Sequence, residues 1–332
     1  MKYFKTLIGT GVGCASIVAM AGLALDVDAH PVQGVLYYTI YQSSADQPNV
    51  KQVEFNYDGA TLTLGTLTGI THTPGADGLI FAPDGDLLVG GQGCCAYKVS
   101  PTGSHPIYSA SAPSERVFHL MMDPDNTRFW AADYVSSELT EFPLSVFPGG
   151  SGTTKQVVGD DGTVTTVAFD ASSKAYYTTG GEYGNGNFGV IDLGVTPAVT
   201  TRALSSVPAS HGMIYDPYTE DLLLFGDGHV TQIDPTLLQV VSDLDLSTLG
   251  VPIDHVDQGS ADGNGHVFVA DHGGRLIFID FSVSRLVGDP SNFRAAPFLE
   301  NYLDDFAPLV GPGGPTTPTK NVSWGRIKAL YR

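Results

Sequence analysis

The sequence predicts an all-β fold, a six-bladed β-propeller, and a repeat of roughly 40 to 50 residues is the main observation behind it. An apolar run, a turn with aspartate and a second apolar run recur, as in GLIFAPDGDLLVGG and GMIYDPYTEDLLLFGDG. Each unit continues into a third short strand, such as AYKVSP or HVTQIDP, and a weaker fourth. Successive turn aspartates are 39, 47, 46 and 46 residues apart. They are Asp84, Asp123, Asp170, Asp216 and Asp262.

The two ends of the chain supply the sixth blade. One period after Asp262, the stretch NYLDDFAPLVG predicts a lone innermost strand, and one period before Asp84, VLYYTIYQ begins three further strands. We therefore expect residues 302–310 to pair with the strands of residues 35–68, which closes the ring and hides its edge strands. The propeller is expected to form one domain, residues 30–311.

Residues 1–29 have the pattern of a secretory signal peptide. Lys2 and Lys5 precede an apolar stretch that ends in VDA before His30. Cleavage after Ala29 is the preferred interpretation, and a cut at AMA (residues 19–21) or an uncleaved anchor are the alternatives. No later segment is apolar for the roughly 20 residues that a membrane span needs. The sequence thus predicts a secreted or periplasmic protein without a membrane span.

The last segment, residues 312–332, differs in character from the rest. Its first half is a Pro/Thr/Gly linker by composition. It ends in WGRIKALYR, a short basic and amphipathic stretch on an acidic protein. This end would either dock on an acidic surface or serve as an attachment tail, and a frayed terminus is the plainer interpretation.

The charge of the chain limits its partners. With 16 Lys and Arg against 35 Asp and Glu, the formal net charge is −19. Such a surface repels phosphate backbones and anionic lipids, which excludes nucleic acid as a favoured partner. Cations and small-molecule, glycan or peptide ligands suit it better. Net charge also simply keeps an exported protein soluble, and the sequence does not indicate an oligomeric state.

Two stretches carry a family resemblance. GADGLIFAPDGDLLVGG and SADGNGHVFVADHGGRLIFID resemble the blades of the NHL and gluconolactonase/regucalcin-like six-bladed propellers. The resemblance implies the fold over most of residues 35–311. Gluconolactonase-like enzymes hold a divalent metal with a glutamate and an Asn-Gly motif. This chain has Asp77-Gly78 and Thr165-Thr166 at the corresponding places, so the resemblance implies no lactonase activity.

Three histidines share a register before the blade turns. His119 lies four residues before its turn aspartate, His211 five and His255 seven, where the turn is longer. In a propeller these positions open the innermost strands around one channel. Imidazoles from separate blades, completed by Asp305 or Asp77, would hold a divalent metal ion such as zinc, copper or iron. A polar channel with hydrogen-bonded histidines is the alternative.

Calcium is disfavoured as the ion. The Asp-Gly turns at Asp84 and Asp262 contain the residues that ordinary hairpin turns demand. If an ion is present, it would polarise a carbonyl or activate water. His211, Asp77 and Tyr134 are then the candidate catalytic residues, with Asp305 as a further proton-transfer group.

The adjacent cysteines Cys94 and Cys95 follow the second strand of their blade. In an oxidising compartment they are expected to form a disulfide with each other. On the same rim, Asp271 and His272 follow the second strand of another blade, so all four residues are candidate ligand-binding positions. The plainer interpretation of the cysteine pair is a disulfide that only makes the loop rigid.

Two functions of different class fit this sequence. The first is a secreted metalloenzyme, a lyase or hydrolase, with a His/Asp metal site at the channel mouth. The second is a non-catalytic extracellular propeller that binds a glycan, peptide or partner protein on the same rim. No Ser-His-Asp order, phosphate-binding loop or nucleotide motif supports another class of enzyme.

Overall fold

A computed structural model describes residues 30–113, 116–181 and 184–310. The predicted signal peptide (residues 1–29) and the predicted tail (residues 312–332) lie outside the described residues. The described chain is all-β, with three short 3-10 helices at Leu144–Val146, Leu246–Leu249 and Pro290–Asn292. No described segment forms a helix long and apolar enough to cross a membrane.

The strands follow one another in short antiparallel meanders. In chain order they are β1 (Val32–Ile40), β2 (Val50–Tyr57), β3 (Leu62–Thr71), β4 (Leu79–Phe81), β5 (Leu87–Gly90), β6 (Cys95–Val99), β7 (Tyr108–Ser111), β8 (Leu120–Met122), β9 (Arg128–Ala132), β10 (Glu138–Pro143), β11 (Thr153–Gly159), β12 (Thr166–Phe169), β13 (Ala175–Thr178), β14 (Gly186–Asp192), β15 (Ala198–Val207), β16 (Gly212–Asp216), β17 (Asp221–Gly226), β18 (His229–Asp234), β19 (Gln239–Asp245), β20 (Val256–Ala261), β21 (His266–Asp271), β22 (Arg275–Asp280), β23 (Phe293–Ala295) and β24 (Leu303–Val310).

The strands form four-stranded units. Three of them are separate sheets, β4 to β7, β16 to β19 and β20 to β23. The units β8 to β11 and β12 to β15 join into one eight-stranded sheet because their outermost strands β11 and β15 pair in parallel, with Val157 opposite Ala198. This pairing covers two sheet edges that would otherwise be open to other strands.

The remaining sheet combines both ends of the described chain, in the order β24-β1-β2-β3. β24 pairs antiparallel with β1, and Tyr37 lies opposite Ala307. Gly34 is required at this junction, since a Cβ there would lie 2.1 Å from the backbone oxygen of Leu309. The first strand of each unit contacts the first strand of the next: β4 and β8, β8 and β12, β12 and β16, β16 and β20, β20 and β24, and β24 and β4. This arrangement is that of a β-propeller.

Burial follows from the position of each strand in its sheet. The innermost strands β4, β8, β12 and β16 are buried along their whole length, which explains their continuous apolar runs. β2 lies further out and alternates instead, with Phe55 and Tyr57 buried and Glu54 and Asn56 exposed. Apolar side chains fill the space between neighbouring sheets, and one such cluster contains Tyr57, Phe268 and Phe278 among its large members.

Candidate functional site

The side chains of interest come from two places in each four-stranded unit. Asp77, His119, His211 and His255 lie one or two residues before the first strands β4, β8, β16 and β20. Tyr134 and His272 follow the second strands β9 and β21. In an antiparallel pair the start of one strand and the end of the next lie at the same edge. The innermost strands therefore bring both sets to one end of the channel.

A cavity of about 260 Å³ opens at this end. It is lined by Tyr41, Asp77, Gln92, Arg116, Phe118, His119, Tyr134, His211, Asp257, His272 and Asp304. Acidic groups and imidazoles lie at its base, and three aromatic rings line its walls.

His119, His211 and Asp257 form a buried group with the geometry of metal ligands. One ligand atom from each lies within 4.8 Å of the others. His211 Nε2 is 2.9 Å from Asp257 Oδ1, and the rings of His119 and His211 meet edge to face with centroids 4.5 Å apart. The centroid of the Tyr134 ring lies 5.6 Å from that of His211, and Tyr134 also lines the cavity.

Asp257 connects this group to a second one. Its other oxygen, Oδ2, accepts a hydrogen bond from His272 Nε2 at 3.0 Å, and the same nitrogen is 3.7 Å from Asp304 Oδ1. Asp257, His272 and Asp304 also satisfy the spacing of a metal group. One carboxylate thus orients two imidazoles at the base of the cavity.

His119 is electrostatically suited to act as a ligand. The pKa of His119 is lowered to about 3. Burial is the main cause and the nearby His211 adds to it, while Asp257 and Gln258 offset only part of the shift. The imidazole is therefore neutral at physiological pH, which is the form that binds metals. Neither of its ring nitrogens has a hydrogen-bond partner among the described residues. Buried polar atoms of this kind cost about 1–3 kcal/mol each when left unpaired.

Burial and neighbouring charges shift the pKa values of four buried carboxyl groups at this end in opposite directions. Burial raises the pKa values of Asp77, Asp304 and Asp305 well above the ordinary range, and the charge of Asp257 raises them further. Burial acts in the same direction on Asp257, but His211, Asp304 and His272 outweigh it and hold the Asp257 pKa well below its usual value. Asp257 is thus the anion of the site at neutral pH.

The structure places the predicted ligands in two different environments. His119 and His211 lie together as expected, but the atoms that meet them belong to Asp257 rather than to His255 or Asp305. The His255 ring instead packs beside His272, with centroids 5.3 Å apart. One oxygen of Asp305 accepts the backbone N–H of Leu79 at 2.8 Å, which ties β24 to β4.

The other predicted site residues lie around this centre. Asp77 lines the cavity and accepts hydrogen bonds from Gly78 N at 3.0 Å and Gln92 Nε2 at 3.3 Å. Asp271 accepts the backbone N–H groups of Asp254 and His255, both at 2.8 Å, and so holds the chain that leads into β20.

The vicinal disulfide between Cys94 and Cys95 is present. Cys94 is exposed and Cys95 is half-buried at the start of β6. Neither cysteine lines the cavity, although Gln92, two residues earlier, does. The pair therefore lies beside the candidate site, next to the wall formed by Gln92.

Asp257 is the principal residue that the sequence interpretation missed. It lies two positions after His255, and an irregularity in the pairing of β20 with β21 falls between Val256 and Gly259. Three residue steps on β20 match two on β21 there, which is a β-bulge. Because a bulge interrupts the alternation of strand residues, the spacing of Asp257 in the sequence did not single it out.

Comparisons with known proteins support the fold. No family model matches the chain, and no curated protein matches it in sequence. Among solved structures, a chain of the nidogen/laminin complex is similar with a TM-score of 0.59 and 11% identity, covering 82% of this chain and 97% of that one. Hydrazine synthase from Kuenenia stuttgartiensis gives a TM-score of 0.56 at 11% identity, covering 80% and 94%.

A luciferin-regenerating enzyme is also similar, with a TM-score of 0.55 and 12% identity over 72% of this chain and 80% of that one. At these identities the likeness concerns the propeller fold alone.

Proposed function

We propose that this protein is an exported six-bladed β-propeller whose channel end holds one divalent metal ion and acts as a metal-dependent lyase or hydrolase. The observation that carries the proposal is the buried group of His119, His211 and Asp257 at the base of an open cavity. The vicinal disulfide supports export, because disulfides persist in oxidising compartments.

Six blades account for the arrangement of the strands. Six first strands contact one another in a cycle, and the last of them, β24, pairs with β1. A ring closed in this way fixes every innermost strand around one axis. Ligands from β8, β16 and β20 can then hold an ion rigidly although no single strand could surround it. We assign residues 30–311 to this one domain.

The donor set fits a metal ion of borderline softness. Two imidazoles and one carboxylate are the ligands of hydrolytic zinc sites and of non-haem iron(II) sites, which leave coordination positions open. His119 is neutral, buried and without a hydrogen-bond partner among the described residues. An ion between these residues would satisfy it. Such an ion supplies Lewis acidity and lowers the pKa of bound water.

The protein's own groups would supply proton transfer and orientation. Asp77 lines the cavity, and burial and the charge of Asp257 raise its pKa well above the ordinary range, which suits a general acid. The Tyr134 ring meets that of His211 edge to face, and Tyr134 is a second proton-transfer candidate. Arg116 is the one Lys or Arg among the lining residues of the described cavity and would attract a substrate carboxylate or a developing oxyanion.

The size of the cavity limits the substrate. A volume of about 260 Å³ accepts a small polar molecule or the end of a larger one. The chain's net charge of −19 disfavours nucleic acid. A small carbonyl compound, such as an ester or lactone, fits these conditions.

A non-catalytic binding propeller is the second candidate, and one observation favours it. Asp257 already contacts both His211 and His272, so the base of the cavity is partly satisfied without an ion. Tyr41, Phe118 and Tyr134 then offer aromatic faces on which a glycan or peptide can lie.

Metal analysis joined to an activity screen separates the two candidates. Exported wild-type protein and His211→Ala would be equilibrated with zinc or iron(II), desalted, and assayed for metal content and for turnover of a panel of small esters and lactones. The proposal expects the variant to lose one equivalent of metal and all turnover. Equal metal content in both proteins would favour the binding propeller.

A further inference from the structure

A second group of metal-type ligands lies at the other end of the strands. His30, His266 and Asp280 each offer one ligand atom, and these atoms all lie within 4.8 Å of one another. His266 opens β21, Asp280 ends β22, and the two residues are opposite each other in the sheet. Since β20 runs from the cavity to the turn before His266, this group is separated from the cavity by the length of that strand.

Two hydrogen bonds fix the ring of His266. Its Nδ1 hydrogen-bonds to Asp262 Oδ2 at 2.7 Å, and its Nε2 donates to the carbonyl oxygen of His30 at 2.6 Å. Metal-binding histidines commonly donate one ring nitrogen to a carboxylate, which fixes the ring and turns the other nitrogen toward the ion. The ring of His266 is 1% exposed, so this orientation is enforced by packing as well.

Asp280 is fixed from the opposite side. Its Oδ2 accepts hydrogen bonds from Tyr57 Oη at 2.9 Å, from Ser282 Oγ at 2.7 Å and from Arg294 Nε at 3.4 Å. Its Oδ1 accepts the backbone N–H of Ser282 at 2.9 Å and faces His30. A carboxylate oxygen has capacity for a further partner at this position.

His30 completes the group and provides access to it. Its Nδ1 is buried, has no hydrogen-bond partner among the described residues, and lies 3.6 Å from Asp280 Oδ1. The His30 side chain as a whole is 29% exposed, which gives an ion a route from solvent. Gly265 leaves the space for this ring, because a Cβ there would lie 3.1 Å from Nδ1.

We propose that this group is a second metal site, for Zn²⁺ or an ion of similar softness, with His30 Nδ1, His266 Nε2 and Asp280 Oδ1 as ligands. Zinc–ligand bonds of about 2.1 Å place the ligand atoms roughly 3.4 Å apart in a tetrahedron. The ligand atoms lie within 4.8 Å of one another, and a rotation of the partly exposed His30 ring would bring them to this spacing. Zinc would displace the proton that His266 Nε2 donates to the His30 carbonyl, and this proton would be released to solvent. The carbonyl oxygen or a water would take the fourth position.

The test uses the full chain carrying Asp257→Asn, which disables the cavity site. This parent would be titrated with Zn²⁺ by calorimetry beside two further variants, one with His30→Ala and one with His229→Ala. His229 is a matched control, since it is 27% exposed and pairs with Asp243 at 2.9 Å but belongs to no metal-type group of the described residues.

The proposal expects the parent and the His229→Ala variant to bind one zinc equivalent, and the His30→Ala variant to bind at least tenfold more weakly. Undiminished zinc binding after His30→Ala would overturn it, as would a parent that binds no zinc. His30→Gln, which keeps the volume of the side chain, repeats the measurement if the alanine variant unfolds by circular dichroism. Failure of the cavity site can be told apart from failure of this second site. If the cavity site binds no zinc, wild type and the Asp257→Asn parent bind the same amount, and the comparison of the parent with His30→Ala still tests the second site.

Discussion

Aspartate occurs at both ends of the innermost strands, and its surroundings differ sharply between them. At the turn end, Asp170 accepts the N–H groups of Ser172 at 2.8 Å and Lys174 at 2.9 Å. At the cavity end, Asp304 Oδ2 and Asp305 Oδ1 are buried without hydrogen-bond partners among the described residues. Aspartate oxygens thus accept hydrogen bonds from neighbouring residues at the turn end, whereas some aspartate oxygens at the cavity end accept none from the described residues.

This difference separates structural from functional aspartates. A turn aspartate whose oxygens accept neighbouring N–H groups stabilises its own hairpin. A buried polar atom without a partner costs about 1–3 kcal/mol, and the fold retains several at the cavity. We interpret these atoms as the part of the structure that a ligand completes.

The largest expected effect comes from Asp257→Asn at the cavity end. The amide keeps the shape but removes the charge that faces His211 and His272. Changes to residues outside the ligand shell lower metal affinity by up to about 100-fold. The zinc affinity of the cavity site should fall by more than this in Asp257→Asn. Calorimetry of zinc binding checks this, and Asp170→Asn at the turn end is the control that should leave the affinity unchanged. Unaltered affinity in Asp257→Asn would remove Asp257 from the ligand set.

The fold was accessible from the sequence because a propeller repeats one unit. Asp123 and Asp216 fall in equivalent turns, so their spacing exposed the four-stranded period before any single strand was certain. The parallel pairing of β11 with β15 was not predictable, since it depends on two distant edges meeting in space.

The candidate site could be predicted from the sequence only in part, because of a local irregularity in one strand. His119 and His211 lie in one group because both come directly before an innermost strand, and their role as metal ligands stays a prediction. The register misplaced His255, since the bulge in β20 adds one residue there and Asp257 reaches His211 instead. A bulge leaves no reliable mark in a single sequence.

The next effect concerns the turn end, where Asp216→Ala should destabilise the fold and spare the site. Asp216 is buried and accepts hydrogen bonds from Tyr218 N at 3.2 Å and from Thr219 N at 3.1 Å. Losing them should reduce the free energy of unfolding by about 1–3 kcal/mol. Urea denaturation followed by circular dichroism measures the change. A matching loss of zinc at the cavity would show that the two ends are not independent.

A smaller effect is the pH dependence that Asp170 contributes. Burial raises the Asp170 pKa, but hydrogen bonds from Ser172, Lys174 and Tyr176 outweigh it and hold the pKa below the ordinary 3.8. As the pH falls, the unfolded chain therefore takes up the proton first. This stabilisation is fully present above the unfolded pKa of 3.8 and is lost as the pH falls through the native pKa. Wild type should exceed Asp170→Asn in unfolding free energy at pH 6, and the difference should shrink toward pH 3. A constant difference across this range would contradict the assignment.

The smallest expected effect is that of His255→Ala on the cavity metal. His255 shares the register of His119 and His211 but packs beside His272, outside the group that contains Asp257. Zinc content per chain should stay at the wild-type value by elemental analysis, whereas His119→Ala should lose one equivalent. Loss of zinc in His255→Ala would restore the ligand set that the register alone predicts.

The most direct test of the central claim is anomalous X-ray diffraction at the zinc edge from crystals grown with zinc. The account predicts a peak at the channel end about 2.1 Å from one ring nitrogen each of His119 and His211, and at a similar distance from an oxygen of Asp257. No peak at this position under excess zinc, or a peak bound by His255 and His272 instead, would contradict it.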